Sequence, residues 1–165
     1  MSNLAGKVNR NWWTFPVVAF VGAVALLSLA SAFGGPYLLA ALKPELRKDI
    51  YSSLTGSSSG LLGFALAAVA ILAAFAPKID MQGRNRHKEQ ALADARSDIA
   101  KCLLVTSLFL MVVLVTSTVG IGVDVSREGS PVLSVIISAA GFASLIGLLI
   151  SGLGVTLSIL ERNSL

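Results

Sequence analysis

The sequence predicts an all-α, polytopic membrane protein with four transmembrane helices, and three observations carry that prediction. First, four apolar stretches, residues 15–33, 57–76, 102–123 and 132–160, contain no Asp, Glu, Lys, Arg or His. About 20 such residues rising 1.5 Å each cross a hydrocarbon core of roughly 30 Å. Second, 55% of the 165 residues are hydrophobic and only 13% are charged, which leaves too little polar sequence for a separate soluble domain. Third, the cations divide unevenly between the two sides. Lys7, Arg10, Lys78, Arg84, Arg86, Lys88, Arg96, Lys101 and Arg162 fall on one side, and Lys43, Arg47, Lys48 and Arg127 on the other. The cation-rich side is the cytoplasmic one, so both termini and the second loop are expected inside, with a bacterial inner membrane as the expected location. The net charge of +4 is then accounted for by topology and the anionic inner leaflet, and nucleic acid is not an expected partner.

The first span follows Trp12 and Trp13, which suit the inner headgroup region, and ends at Gly34-Gly35-Pro36, where proline interrupts a helix. Lys7 and Arg10 before an apolar run ending in Ala30-Ser31-Ala32 also fit a cleavable signal peptide that would remove residues 1–32. The run is longer than the usual h-region of about 7 to 15 residues, which favours a retained span. A short helix lying in the outer interface over Tyr37 to Leu42 and a polar outer segment, 42–55, are expected next, with Pro44 opening a polar turn or helix and Tyr37 and Tyr51 near the outer boundary. A Ser- and Gly-rich run, 52–60, then leads into the second span and could cap it or line a wet vestibule.

The second loop, 77–101, is cytoplasmic on this reading. Its part from His87 to Lys101 has good helix formers and no Pro or Gly, so it is expected to run as helix straight into the third span. Leu92, Ala95, Ile99 and Cys102 give that helix an apolar stripe. Arg84, Arg86, Lys88 and Arg96 are its candidate docking residues for a cytosolic protein; a solvated connector against its own bundle is the plainer alternative. A short loop carrying Arg127 precedes the fourth span.

The strongest pattern lies inside the second and fourth spans. Gly56, Gly60, Gly63, Ala67, Ala70 and Ala74 recur at spacings of four and three, and Ala140, Ser144, Gly147, Ser151, Gly154 and Ser158 repeat the spacing 84 residues later. Lipid supplies no hydrophobic drive between helices, so small faces that let backbones approach are what make helices associate. These residues are the expected helix-packing positions, within the chain or between copies of it. The repeat fits two tandem helical hairpins of shared orientation. It also fits coincidence in a chain so rich in Ala, Gly and Ser.

Chemistry-bearing patterns are scarce. Gly56-Ser57-Ser58-Ser59-Gly60 satisfies G-x-S-x-G, but that motif needs a strand, a sharp turn and a helix, and the sole histidine, His87, is expected across the membrane. Cys102 alone cannot make a metal site or an internal disulfide. No catalytic residue, metal or cofactor is expected, and the protein reads as non-enzymatic. Two function classes stay open. One is a membrane-assembly protein, a homo-oligomer or complex subunit in contact with the bilayer. The other is a small channel or transporter lined by the hydroxyls of the spans, for which the uncharged spans argue against proton coupling.

The segment Thr55-Gly56, the run GLLGFALAAVAIL at 60–72 and the basic loop after it resemble small four-span membrane proteins that accompany bacterial anti-phage defence systems. The resemblance covers about a quarter of the chain. It implies a membrane sensor or membrane-perturbing effector acting with a cytosolic partner encoded alongside, and assigns no residue a role.

Overall fold

The computed structural model describes residues 12–33, 39–74, 86–124 and 129–163, apart from the side chains of 86–89, 91–92 and 158–163. The described residues form four helices, α1 (Thr14–Ala32), α2 (Pro44–Ala74), α3 (Arg86–Val123) and α4 (Pro131–Asn163), and no strand. Each is long and apolar enough to cross a membrane.

Local chemistry explains the boundaries. Pro16, Pro44 and Pro131 all lie in first turns, where a missing amide breaks no helical hydrogen bond. Ser130 stands before Pro131, and its hydroxyl accepts from the Leu133 amide at 3.5 Å, a long N-terminal cap. At α1's far end the Phe33 amide donates to Leu29 O at 3.2 Å.

One boundary, the start of α2, differs from the sequence reading. The polar segment from Pro44 to Thr55 is not a loop or separate helix ahead of the span but its first part, because α2 runs unbroken for 31 residues, roughly 46 Å. Once Pro44 has opened it, no further proline follows until Pro77, and the hydroxyls of its Ser-rich run turn back on the helix itself. Thr55 donates to Tyr51 O at 2.8 Å, and Ser58 donates to Leu54 O. The run 52–60 is therefore helix interior, not a capping entrance. The α3 helix continues from its charged N-terminal part into the apolar span as expected, giving 38 residues.

The helices pack in the order α2, α3, α4, α1. Helix α3 lies between α2 and α4, α1 packs on α4, and among the described residues α1 and α2, like α2 and α4, do not pack side by side. A minor α1–α3 contact includes Phe20 stacked on Phe109, with ring centroids 5.0 Å apart. Consistently, 39% of the α3 and α4 spans is buried against 11% of α2 and 6% of α1. Of the two hairpins that the repeat would make, the structure packs one. Helices α3 and α4 make a packed hairpin, whereas α1 packs on α4, whose first residue lies 99 positions after the last of α1. The half of the α2–α3 seam nearer the end of α2 holds an apolar cluster of Ala65, Ile99 and Leu103, with Ala68, Val69 and Leu72 against it.

Candidate functional site

Charged side chains meet inside the fold at one end of the bundle. Arg47, in the first turn of α2, is fully buried, Tyr51 one turn later is 1% exposed, and Asp124, directly after α3, is 8% exposed. Spacing of four puts Arg47 and Tyr51 on one face of α2. The Tyr51 hydroxyl donates to Asp124 Oδ2 at 2.9 Å, and Arg47 Nε lies 3.7 Å from the same oxygen. Asp124 Oδ1 accepts the Ser130 amide at 3.1 Å, and Arg47 Nη1 donates to Ala40 O at 3.3 Å. Ala40 O also accepts the Gly129 amide at 3.4 Å, and the Leu39 amide donates to Ser134 Oγ at 3.0 Å. Five pieces of chain are thereby tied together: residues 39–40, the start of α2, the end of α3, residues 129–130 and the start of α4.

Two glycines make room for this cluster. A Cβ on Gly120 would lie 2.9 Å from the Tyr51 ring, and one on Gly129 would lie 2.8 Å from both Ala40 Cα and Arg47 Cζ. Burying two charges costs several kcal/mol per ion unless hydrogen bonds surround them, and here the carboxylate accepts one hydroxyl and one amide besides the nearby guanidinium. Ionisable groups inside a membrane protein usually mark its working parts. The sequence reading ended the third span at Val123, which left Asp124 in a loop, and counted Arg47 only as an outer cation. Tyr51, expected near the outer boundary facing the headgroups, instead turns inward. The available signal was Arg47 and Tyr51 four apart behind Pro44, with Gly120 and Asp124 four apart at the end of a 22-residue apolar run.

The two small-residue faces meet different surroundings. On α4, Ala140, Ser144, Gly147, Ser151 and Gly154 are buried. Gly147 lies against Thr106 of α3, where an added Cβ would be 3.1 Å from Thr106 Cβ and Cγ2. The Cys102 thiol also reaches Gly147 O at 3.7 Å. An added Cβ on Gly154 would lie 3.1 Å from Ile99 Cγ1 and 3.2 Å from Trp12 Cζ3, so the start of α1 and the second half of α4 share one end of the molecule. On α2, by contrast, Gly56, Gly60, Gly63, Ala67, Ala70 and Ala74 are all exposed. Nothing lies within 4 Å of a Cβ built on any of the three glycines. The buried side chains of α2, Arg47, Tyr51, Ser58 and Ala65, take the opposite face.

The hydroxyls of the spans mostly bond to their own helices: Thr106 to Cys102 O, Ser107 to Leu103 O, Thr118 to Leu114 O and Ser144 to Ala140 O, each at 2.8 Å. That use favours packing over pore lining. Of the candidate docking residues, Arg84 lies outside the described residues, Arg86 and Lys88 are on the first turn of α3 with side chains outside them, and Arg96 is half-buried on α3. Ile99 and Cys102 of the expected stripe are buried. Among the described residues no group of three or more His, Cys, Asp or Glu could hold a metal. Comparison with protein-family models, with curated proteins and with solved structures found no match.

Proposed function

We propose that this multi-pass membrane protein is a non-enzymatic assembly protein that works as a homo-oligomer joined through the outward face of α2. The observation that carries the reading is the run of Gly56, Gly60 and Gly63 facing open space. An interior glycine costs a helix about 1 kcal/mol relative to alanine, and in lipid that cost is offset when a second helix approaches the bare backbone. A second copy of α2, bearing the same small face, suits a two-fold crossing of this kind.

In this reading the membrane is a bacterial inner membrane with both termini cytoplasmic, in keeping with nine cations against four. The N-terminal part of α3 then projects into the cytoplasm, where the loop 77–101 receives a protein partner. The oligomer senses or perturbs the bilayer, in keeping with the resemblance to small membrane proteins of anti-phage systems. Native mass measurement in lipid nanodiscs tests the assembly. Wild type should give a discrete multimer and Gly60→Ile a monomer of unchanged helicity. A monomeric wild type, or a Gly60→Ile variant of undiminished size, would remove the face from the account.

A further inference from the structure

We infer that Ser57 and Ser59, on the two flanks of the glycine face of α2, bond from one copy of the chain to the next, pairing two parallel copies through hydroxyls in the middle of the bilayer. This rests on the assembly reading and deepens it, by naming the groups that join the copies and how the copies are oriented. Contacts fix the depth of these serines. Helices α2 and α3 run antiparallel, with Tyr51 beside Gly120 and bonded to Asp124 at one end and Val69 and Leu72 against the cluster of Ile99 and Leu103 toward the other. Residues 57–59 fall between these ties, level with about residues 112–114 of α3, the middle of its uncharged run 102–123. Gly147 beside Thr106 and Leu133 beside Gly120 put about residues 139–141 of α4 at the same level. Neither α3 nor α4 carries a polar side chain there. Only α2 brings hydroxyls to that depth on an outward surface.

Ser57 and Ser59 are exposed, and among the described residues their hydroxyls have no hydrogen-bond partner. Their neighbours differ: Thr55 and Ser58 bond to carbonyls of α2 itself, and Thr106, Ser107 and Ser144 do the same on α3 and α4. A hydroxyl that faces hydrocarbon unpaired is costly, and water is absent from the lipid-facing middle of a membrane. At 100° per residue, Ser57 and Ser59 each lie about 80° from the line through Gly56 and Gly60, on opposite sides of it. Nothing in the chain lies within 4 Å of a Cβ on either glycine, so a second backbone can approach between the serines. Copies inserted with one topology are parallel, and their two-fold axis runs along the membrane normal. Rotation about that axis sets the Ser57 flank of one α2 against the Ser59 flank of the other, with the two serines about 3 Å apart in height. Symmetry forms the pair twice. The glycines thus supply close approach and the serines supply the bonds across it.

The test is dimer affinity in lipid vesicles, read by energy transfer between donor- and acceptor-labelled copies of the full chain. A hydrogen bond between helices in a membrane strengthens association about three-fold, so the symmetric pair is worth about eight-fold. Ser57→Ala and Ser59→Ala should each weaken the dimer by about that factor. The double variant should lose no more than either alone, because both changes remove the same bonds. Ser28→Ala, at an exposed serine of α1, should leave affinity unchanged. In a Cys102→Ser background, copies carrying Ser57→Cys should cross-link to copies carrying Ser59→Cys more readily than either cross-links to itself. Wild-type affinity in Ser57→Ala alongside a monomeric Gly60→Ile would overturn the serine pairing and leave the assembly reading standing, whereas a monomeric wild type would overturn both. Additive losses in the double variant would overturn the pairing of Ser57 with Ser59. Rapid labelling of Ser57→Cys by a membrane-impermeant thiol reagent would also overturn it, by showing that water covers this face.

Discussion

Replacing Gly147 by alanine adds one methyl group where α3 and α4 come closest. Its Cβ would sit 3.1 Å from both Thr106 Cβ and Cγ2 and closer still to Oγ1. Thr106 is fully buried and its hydroxyl donates to Cys102 O at 2.8 Å, so turning away sacrifices that bond. Overpacking of this kind costs about 1–3 kcal/mol, whereas alanine for glycine inside a helix returns about 1 kcal/mol. Gly152→Ala, on the same helix with nothing within 4 Å of its Cβ, supplies the helix gain without the clash. The two variants should therefore differ by about 1–3 kcal/mol, with Gly147→Ala the less stable. Denaturing detergent titrated into mild-detergent micelles, with helicity read by circular dichroism, measures both. Adding Thr106→Ala should recover on the order of 1 kcal/mol of the loss, the coupling expected of side chains in contact. Equal stability of the two glycine variants, or no recovery in the double variant, would show that α3 and α4 do not meet at Gly147. The larger Gly147→Leu should fail to form the α3–α4 hairpin, checked by protease resistance.

Three further outcomes are expected. Tyr51→Phe removes the 2.9 Å bond to Asp124 and should cost about 1.5–3 kcal/mol, the range for a hydrogen bond to a charged group, in the same unfolding assay. Gly120→Ala should destabilise, because its Cβ meets the Tyr51 ring at 2.9 Å and Leu133 Cδ2 at 3.3 Å; pairing it with Tyr51→Leu should relieve part of the loss, seen as a recovered melting temperature. Cys102, the only cysteine and fully buried, should resist a membrane-permeant maleimide in the folded protein and label at the rate of unfolding. Rapid labelling in mild detergent would contradict its place in the α3–α4 seam.

What the sequence disclosed was what local pattern encodes. Uncharged runs of spanning length located all four helices, and the absence of Pro and Gly between His87 and Lys101 anticipated the continuous α3. Periodicity also found the small face of α4, which packs on Thr106 and Ile99. It could not say that the matching face of α2 would point away from the chain, because a stripe identifies a surface and not its neighbour. The rim cluster was harder still. Arg47 and Asp124 are 77 residues apart, and each looks like an ordinary polar boundary residue until Gly120 and Gly129 let the segments close. The α1–α4 pairing is likewise non-local, and nothing in the composition of α1 marks its partner. The extended α2 could have been read from Pro44 at the first helical position, had the serines after it been weighed as hydroxyls able to bond their own helix.

Disulfide cross-linking along α2 in native membranes tests the central claim, that copies meet on its small-residue face, most directly. In a Cys102→Ser background, single cysteines are placed in turn from Gly56 to Ala70 and oxidised briefly. Cross-linked dimers should peak at Gly56, Gly60, Gly63 and Ala67, and fall to background at Ser58 and Ala65 on the α3-facing side. Cross-links spread evenly along α2, or strongest at Ser58 and Ala65, would contradict both the orientation of α2 and its role in assembly.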